Sequence, residues 1–109
     1  MGMSRPKRVQ TVETYKNWRT GAKTGIGTSA VQISSTSFKC KKGVLVKAAS
    51  TNGTGLVYVG LSNVTTISTP SSCGLELAAS EWIEVEAEDV TDVYVIGSTA
   101  GLSITWMIV

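Results

Sequence analysis

The chain has 109 residues, 42% hydrophobic and 17% charged, with ten lysines and arginines, eight acids and no histidine. That length fits one domain, and a chain of this size buries about two thirds of its unfolded surface. The missing histidine removes the commonest general base, proton shuttle and metal ligand at once, which turns expectation away from catalysis.

The first ten residues, MGMSRPKRVQ, are basic and lack the apolar segment of an export signal. No apolar run reaches the ~20 residues that span a bilayer, so a protein made in the cytoplasm, with no membrane role, is expected. "VETYKNWR" fits either period: Val12, Tyr15 and Arg19 share a helical face, and the segment also alternates tolerably as a strand. "RTGAKTGIGTS" offers little to bury and reads as loop or extended arm. Residues 1–27 are therefore expected to form a basic arm, and residues 28–109 a folded domain.

Beyond the arm the pattern has period two. Val31 and Ile33 share a face in "SAVQISS", and Val44, Val46 and Ala48 share one in "GVLVKAAS". Residues 51–55, Thr-Asn-Gly-Thr-Gly, are turn formers, and with the β-branched and aromatic "LVYVGLS" they predict a hairpin. "VTTI" and "CGLEL" read as further short strands around Pro70 and a serine-rich turn. In "EWIEVE", Ile83 and Val85 are expected inward, with Trp82, Glu84 and Glu86 outward. "DVYVIGS" is nearly continuous in apolar residues, the mark of a central strand. "LSITWMIV" puts Leu102, Ile104, Trp106 and Ile108 on one face, and Ala100-Gly101 predicts a second hairpin before it. The expected fold is all-β: a small antiparallel β-sandwich, jelly-roll in topology.

Charge is segregated along the chain. Residues 1–47 hold all ten cations and only Glu13 among the acids, a net +9; residues 48–109 hold seven carboxylates and no cation, a net −7. Either a basic strand pairs with an acidic one inside the sandwich, or copies of the protein attract one another.

The motifs with chemical potential are weak. "GAKTGIG" lacks the Gly-Lys-Ser/Thr ending of a phosphate loop and precedes a strand instead of a helix. Glu84, Glu86 and Glu88 alternate along one face, which suits a solvated strand as well as a calcium site, and an acid pair for glycoside chemistry needs a walled cleft. Tyr15 and Trp18 beside Lys16 and Arg19 are able to stack on bases, but the acidic body disfavours nucleic acid. Trp82 is expected exposed, for an interface or a sugar ring, and Trp106 is expected in the core. Cys40 and Cys73 read as free thiols in a reducing compartment, with a disulfide left open. No cofactor or metal is expected.

"KKGVLVKAASTNGTGLVYVG" and "GLELAASEWIEVEAEDVTDVYVIGSTAGLSITW" resemble a group of small tailed-phage virion proteins. In that group a Gly-x-x-Val-Lys-Ala strand leads through an Asn/Gly turn to Val-Tyr-Val-Gly, and a Val-Tyr-Val-Ile-Gly-Ser strand turns through Ala/Gly into the last strand. The likeness covers about residues 26–109. The group often has Pro-Gly where this chain has Ala79-Ser80.

The resemblance implies a virion structural protein made in the host bacterial cytoplasm, most simply a capsid decoration (cement) protein. Such a protein would stabilise the capsid surface by binding the outside of the major capsid protein shell, often as a homotrimer. Arg5, Lys7, Arg8, Tyr15, Lys16, Trp18 and Arg19 are the expected arm contacts to the capsid. Lys39, Lys41 and Lys42 are expected to meet Trp82, Glu84 and Glu86 of a neighbouring copy. The alternatives are a tail, neck or baseplate component, or a glycan- or receptor-binding module built on Trp82.

Overall fold

The computed structural model describes residues 19–66 and 74–109. They form eight strands: β1 (Thr20–Ile26), β2 (Val31–Gln32), β3 (Gly43–Ala48), β4 (Val57–Gly60), β5 (Leu75–Leu77), β6 (Trp82–Glu86), β7 (Tyr94–Gly97) and β8 (Leu102–Ile108). Two short 3-10 turns, Ser50–Asn52 and Val90–Asp92, complete the regular structure, and no α-helix occurs among the described residues.

The strands make two four-stranded antiparallel sheets, ordered β1-β8-β3-β6 and β2-β7-β4-β5. β1 pairs with β8, β2 with β7, β3 with β6 and β4 with β5. That is one long hairpin bent between β4 and β5. Rolling it up adds the β3–β8 and β4–β7 pairings. The fold is a jelly roll, the topology expected first for this sandwich, and its connectivity comes from the strand pairings and not from the spacing of the strands.

Alternation in sequence becomes alternation in burial. Val44, Val46 and Ala48 on β3 and Ile104 on β8 are fully buried, and Leu102, Trp106 and Ile108 join them. From the facing sheet come Val57, Val59 and Val95. Each fully buried valine contributes roughly 1.5–3 kcal/mol relative to exposure, so the core rests on many modest side chains.

Both predicted hairpins are absent. β3 and β4 lie in different sheets, and so do β7 and β8. In a rolled hairpin most consecutive strands alternate between layers, so a short Gly-rich connection spans the ~10 Å between sheets instead of reversing within one. Gly101 supplies the left-handed backbone for one such crossing, at φ 80°. Of "VTTI", the described residues Val64–Thr66 form no strand: buried Val64 donates its N–H to Leu61 O at 2.9 Å in a turn and Thr65 makes a single β-bridge, while Ile67 lies outside the described residues.

The start of the sandwich also needs correction. The Gly-Thr stretch expected as arm is β1, in register with β8 from Thr20↔Met107 to Lys23↔Ile104 before a bulge reaches Ile26↔Leu102. The folded sheet thus begins at Thr20, and residues 1–18 lie outside the described residues.

The connections divide by end. Loops 27–30, 49–56, 78–81 and 98–101 gather at one end of the sandwich. Loops 33–42 and 87–93 gather at the other, with Arg19 and Val109.

Candidate interaction surfaces

At the second end a carboxylate organises the corner. Asp89, 7% exposed, accepts hydrogen bonds from the Ser37 hydroxyl, from Thr91 N–H at 3.0 Å and from Thr91 Oγ1 at 2.9 Å. Lys39 Nζ stands 3.9 Å from its Oδ2, and Lys39 and Asp89 also form a β-bridge. These donors, Ser37 first and the Thr91 backbone next, pull the Asp89 pKa from 3.8 to about 2. The side chain caps the Val90–Asp92 turn and ties it to loop 33–42. Half-buried Cys40 lies beside this corner, its thiol pKa raised by burial and then by the charges of Asp89 and Asp92. Cys73, and with it any pairing to Cys40, lies outside the described residues.

The sequence-predicted interface residues are found on one subunit side by side. Trp82, Glu84 and Glu86 project from the outer face of β6, an edge strand, and Trp82 is 60% exposed. Lys41 and Lys42 are exposed where the chain enters β3, and β3 pairs with β6 from Gly43↔Glu86 to Lys47↔Trp82. Lys39 engages Asp89 of its own chain. The basic segment and the acidic strand therefore run together within one molecule, which is the internal pairing that charge segregation left open.

Of the arm contacts, only Arg19 is described; Arg5, Lys7, Arg8, Tyr15, Lys16 and Trp18 lie outside the described residues. Arg19 is exposed, its guanidinium carbon 5.3 Å above the Phe38 ring, and Phe38 packs 6.4 Å from Trp106. The Arg19 carbonyl accepts from Ile108 N–H at 2.8 Å. The root of the arm is thus fastened to the sheet.

Clefts open between the sheets. One, about 750 Å³, lies at the charged end and includes Glu86, Asp92, Tyr94 and Leu61 in its walls. A second, about 580 Å³, lies between β1 and β2 and exposes Lys23 and part of Trp106. A third, about 550 Å³, lies between β5 and β6, where Trp82 and Glu81 meet. Among the described residues no three Cys, Asp or Glu side chains converge as metal ligands. "GAKTGIG" falls in the bulged edge strand β1 and the loop after it, with no helix behind it.

Sequence reasoning missed the Asp89 corner and the Lys23–Trp106 cleft. Asp-x-Thr before a turn is a legible capping signal, but its partner Ser37 lies 52 residues away.

No family model, curated protein or solved structure matches this chain.

Proposed function

We propose that the protein is a structural tile of a tailed-phage virion, most simply a capsid decoration protein that binds the outer surface of the major capsid protein shell and stabilises it. In this reading it works as a small cyclic oligomer, in the simplest case a trimer, and the basic arm reaches across neighbouring coat subunits. The sequence likeness supplies the virion assignment.

The observation that carries the tile reading is the placement of exposed apolar side chains. Leu61, Leu75 and Trp82 are 67%, 53% and 60% exposed, and all three fall on the β4–β5–β6 side of the jelly roll. Large apolar residues gathered on one side of so small a domain favour contact with another protein. Many weak docking points on one shell add by avidity, so a surface without reactive groups suffices.

The test is deletion of residues 1–18, which leaves Arg19 and its bond to Ile108 in place. The truncated protein is expected to keep its β spectrum and lose binding to purified shells; unchanged shell occupancy would overturn the arm's role. Trp82, exposed beside the cleft that holds Glu81, supports a second reading as a glycan-binding module. A glycan array probed with the parent chain and Trp82→Ala separates the two: a signal that depends on Trp82 favours the module.

A further inference from the structure

The two long sides of the sandwich carry opposite charge. Residues 19–36, which run through β1 and β2, contain Arg19 and Lys23 and no acid. Residues 74–86, which run through β5 and β6, contain Glu76, Glu81, Glu84 and Glu86 and no cation. All four of these strands are sheet edges. Edge strands carry backbone groups that have no partner on one side, and they are natural places for one chain to meet another.

The basic side also holds an unmet donor. Trp106 is only 6% exposed, and its indole Nε1–H has no hydrogen-bond partner among the described residues. Buried donors are nearly always paired, so an orphan points to a missing acceptor. Trp106 lies under Gly21: a Cβ there would stand 2.4 Å from Cζ2 and 3.0 Å from Nε1. Glycine leaves the strand thin above the ring, and Gly21, Lys23 and Trp106 line the same 580 Å³ cleft. A cation lining the same cleft as a ring with an unmet N–H donor is chemistry that suits a carboxylate at the mouth of that cleft.

We propose that the β5/β6 side of one copy seats on the β1/β2 side of the next, with Glu84 and Glu86 meeting Lys23 at the mouth of the Trp106 cleft. The two surfaces differ, so the contact is head-to-tail and closes a ring when its rotation divides a full turn. Trp82, on the acidic side, is the apolar anchor of the contact. The proposal rests on the reading of the protein as a cyclic oligomer and names which edges meet. It also moves the partner of the acidic strand from Lys39–Lys42, its neighbours within one chain, to Lys23 of another copy.

The experiment is charge reversal on each side, read as mass by light scattering on the full chain at low salt. Glu84→Lys/Glu86→Lys cancels the charge of the acidic side and sets cations against Lys23, and Lys23→Glu removes the cation at the cleft. Each variant is expected to fall to the mass of one 11.5 kDa chain. Mixing the two in equal amounts is expected to restore association, because the untouched acidic side of one then meets the untouched basic side of the other. A monomeric parent chain, a variant that keeps the parent's mass, or a mixture that stays monomeric overturns the contact. If the double reversal loses its β spectrum, Glu84→Gln/Glu86→Gln replaces it with the same expected loss of mass. Shell binding is scored separately: a chain that assembles but ignores shells strikes the virion reading and leaves the edge contact standing.

Discussion

The two ends of the jelly roll solve one problem with different chemistry. At the first end, Asn52 holds the 49–56 crossing to β8: its Nδ2 donates to Ser103 O at 2.9 Å and its Oδ1 accepts from Ser103 N–H at 3.0 Å. At the second end, Asp89 holds the 87–93 crossing to Ser37 and Thr91. One clamp is a neutral amide and the other a carboxylate. The loops of the first end contain Glu81 as their one charged residue, whereas those of the second include Lys39, Lys41, Lys42, Glu88, Asp89 and Asp92. The first end should therefore hold through changes of pH and salt, and the second should respond to both.

The largest effect removes what both ends share. Ile104, fully buried on β8, lies opposite Lys23 of β1 and Ala48 of β3. Ile104→Ala should cost about 2–5 kcal/mol and lower the melting temperature equally at every pH. A loss that varied with pH would tie the core to one end only.

Asn52→Ala comes next. It leaves the Ser103 N–H without its partner in a half-buried setting, while the Ser103 C=O keeps the Ala49 N–H, and it should cost about 2 kcal/mol. Thermal melts from neutral pH to pH 3 should show the same loss throughout.

Asp89→Asn probes the other clamp, and its sign follows from linkage. The folded pKa, about 2, is below the ordinary 3.8, so the carboxylate contributes stability above about pH 4 and loses that contribution as pH falls through 2. The variant should melt below the parent at neutral pH, and the gap should close between pH 4 and pH 2. A gap that stays constant in acid would mean that Asp89 acts by shape and not by charge.

How far the sequence was legible differs along the chain. Faces could be read wherever apolar residues alternate: Val44, Val46 and Ala48 are buried, Trp106 is in the core and Trp82 is outside, as alternation implied. Strand partners could not be read, because a turn signal such as Asn52-Gly53 marks a change of direction and carries no information about which sheet receives the next strand. β1 was missed for a physical reason: Trp106 fills the space beneath Gly21, so that strand needs no large side chain and looks like a linker. The Asp89 corner and the Trp106 cleft depend on contacts across the whole chain, which no local pattern contains.

The smallest effect concerns Ser80, in the turn between β5 and β6. It has φ 72°, the left-handed region that favours glycine. Ser80→Gly should raise stability by at most about 1 kcal/mol, with the added freedom of the unfolded chain offsetting part of the relief. A loss on melting would show that the serine side chain supports the turn.

Assembly through opposed charge is tested most directly by the mass of the intact chain as salt rises. From 0.1 M to 1 M salt the screening length falls from about 10 Å to about 3 Å. A ring held by Glu84 and Glu86 on Lys23 should be a defined oligomer at the lower salt and fall toward single 11.5 kDa chains at the higher. A mass that does not change with salt, whether of one chain or of several, would contradict it.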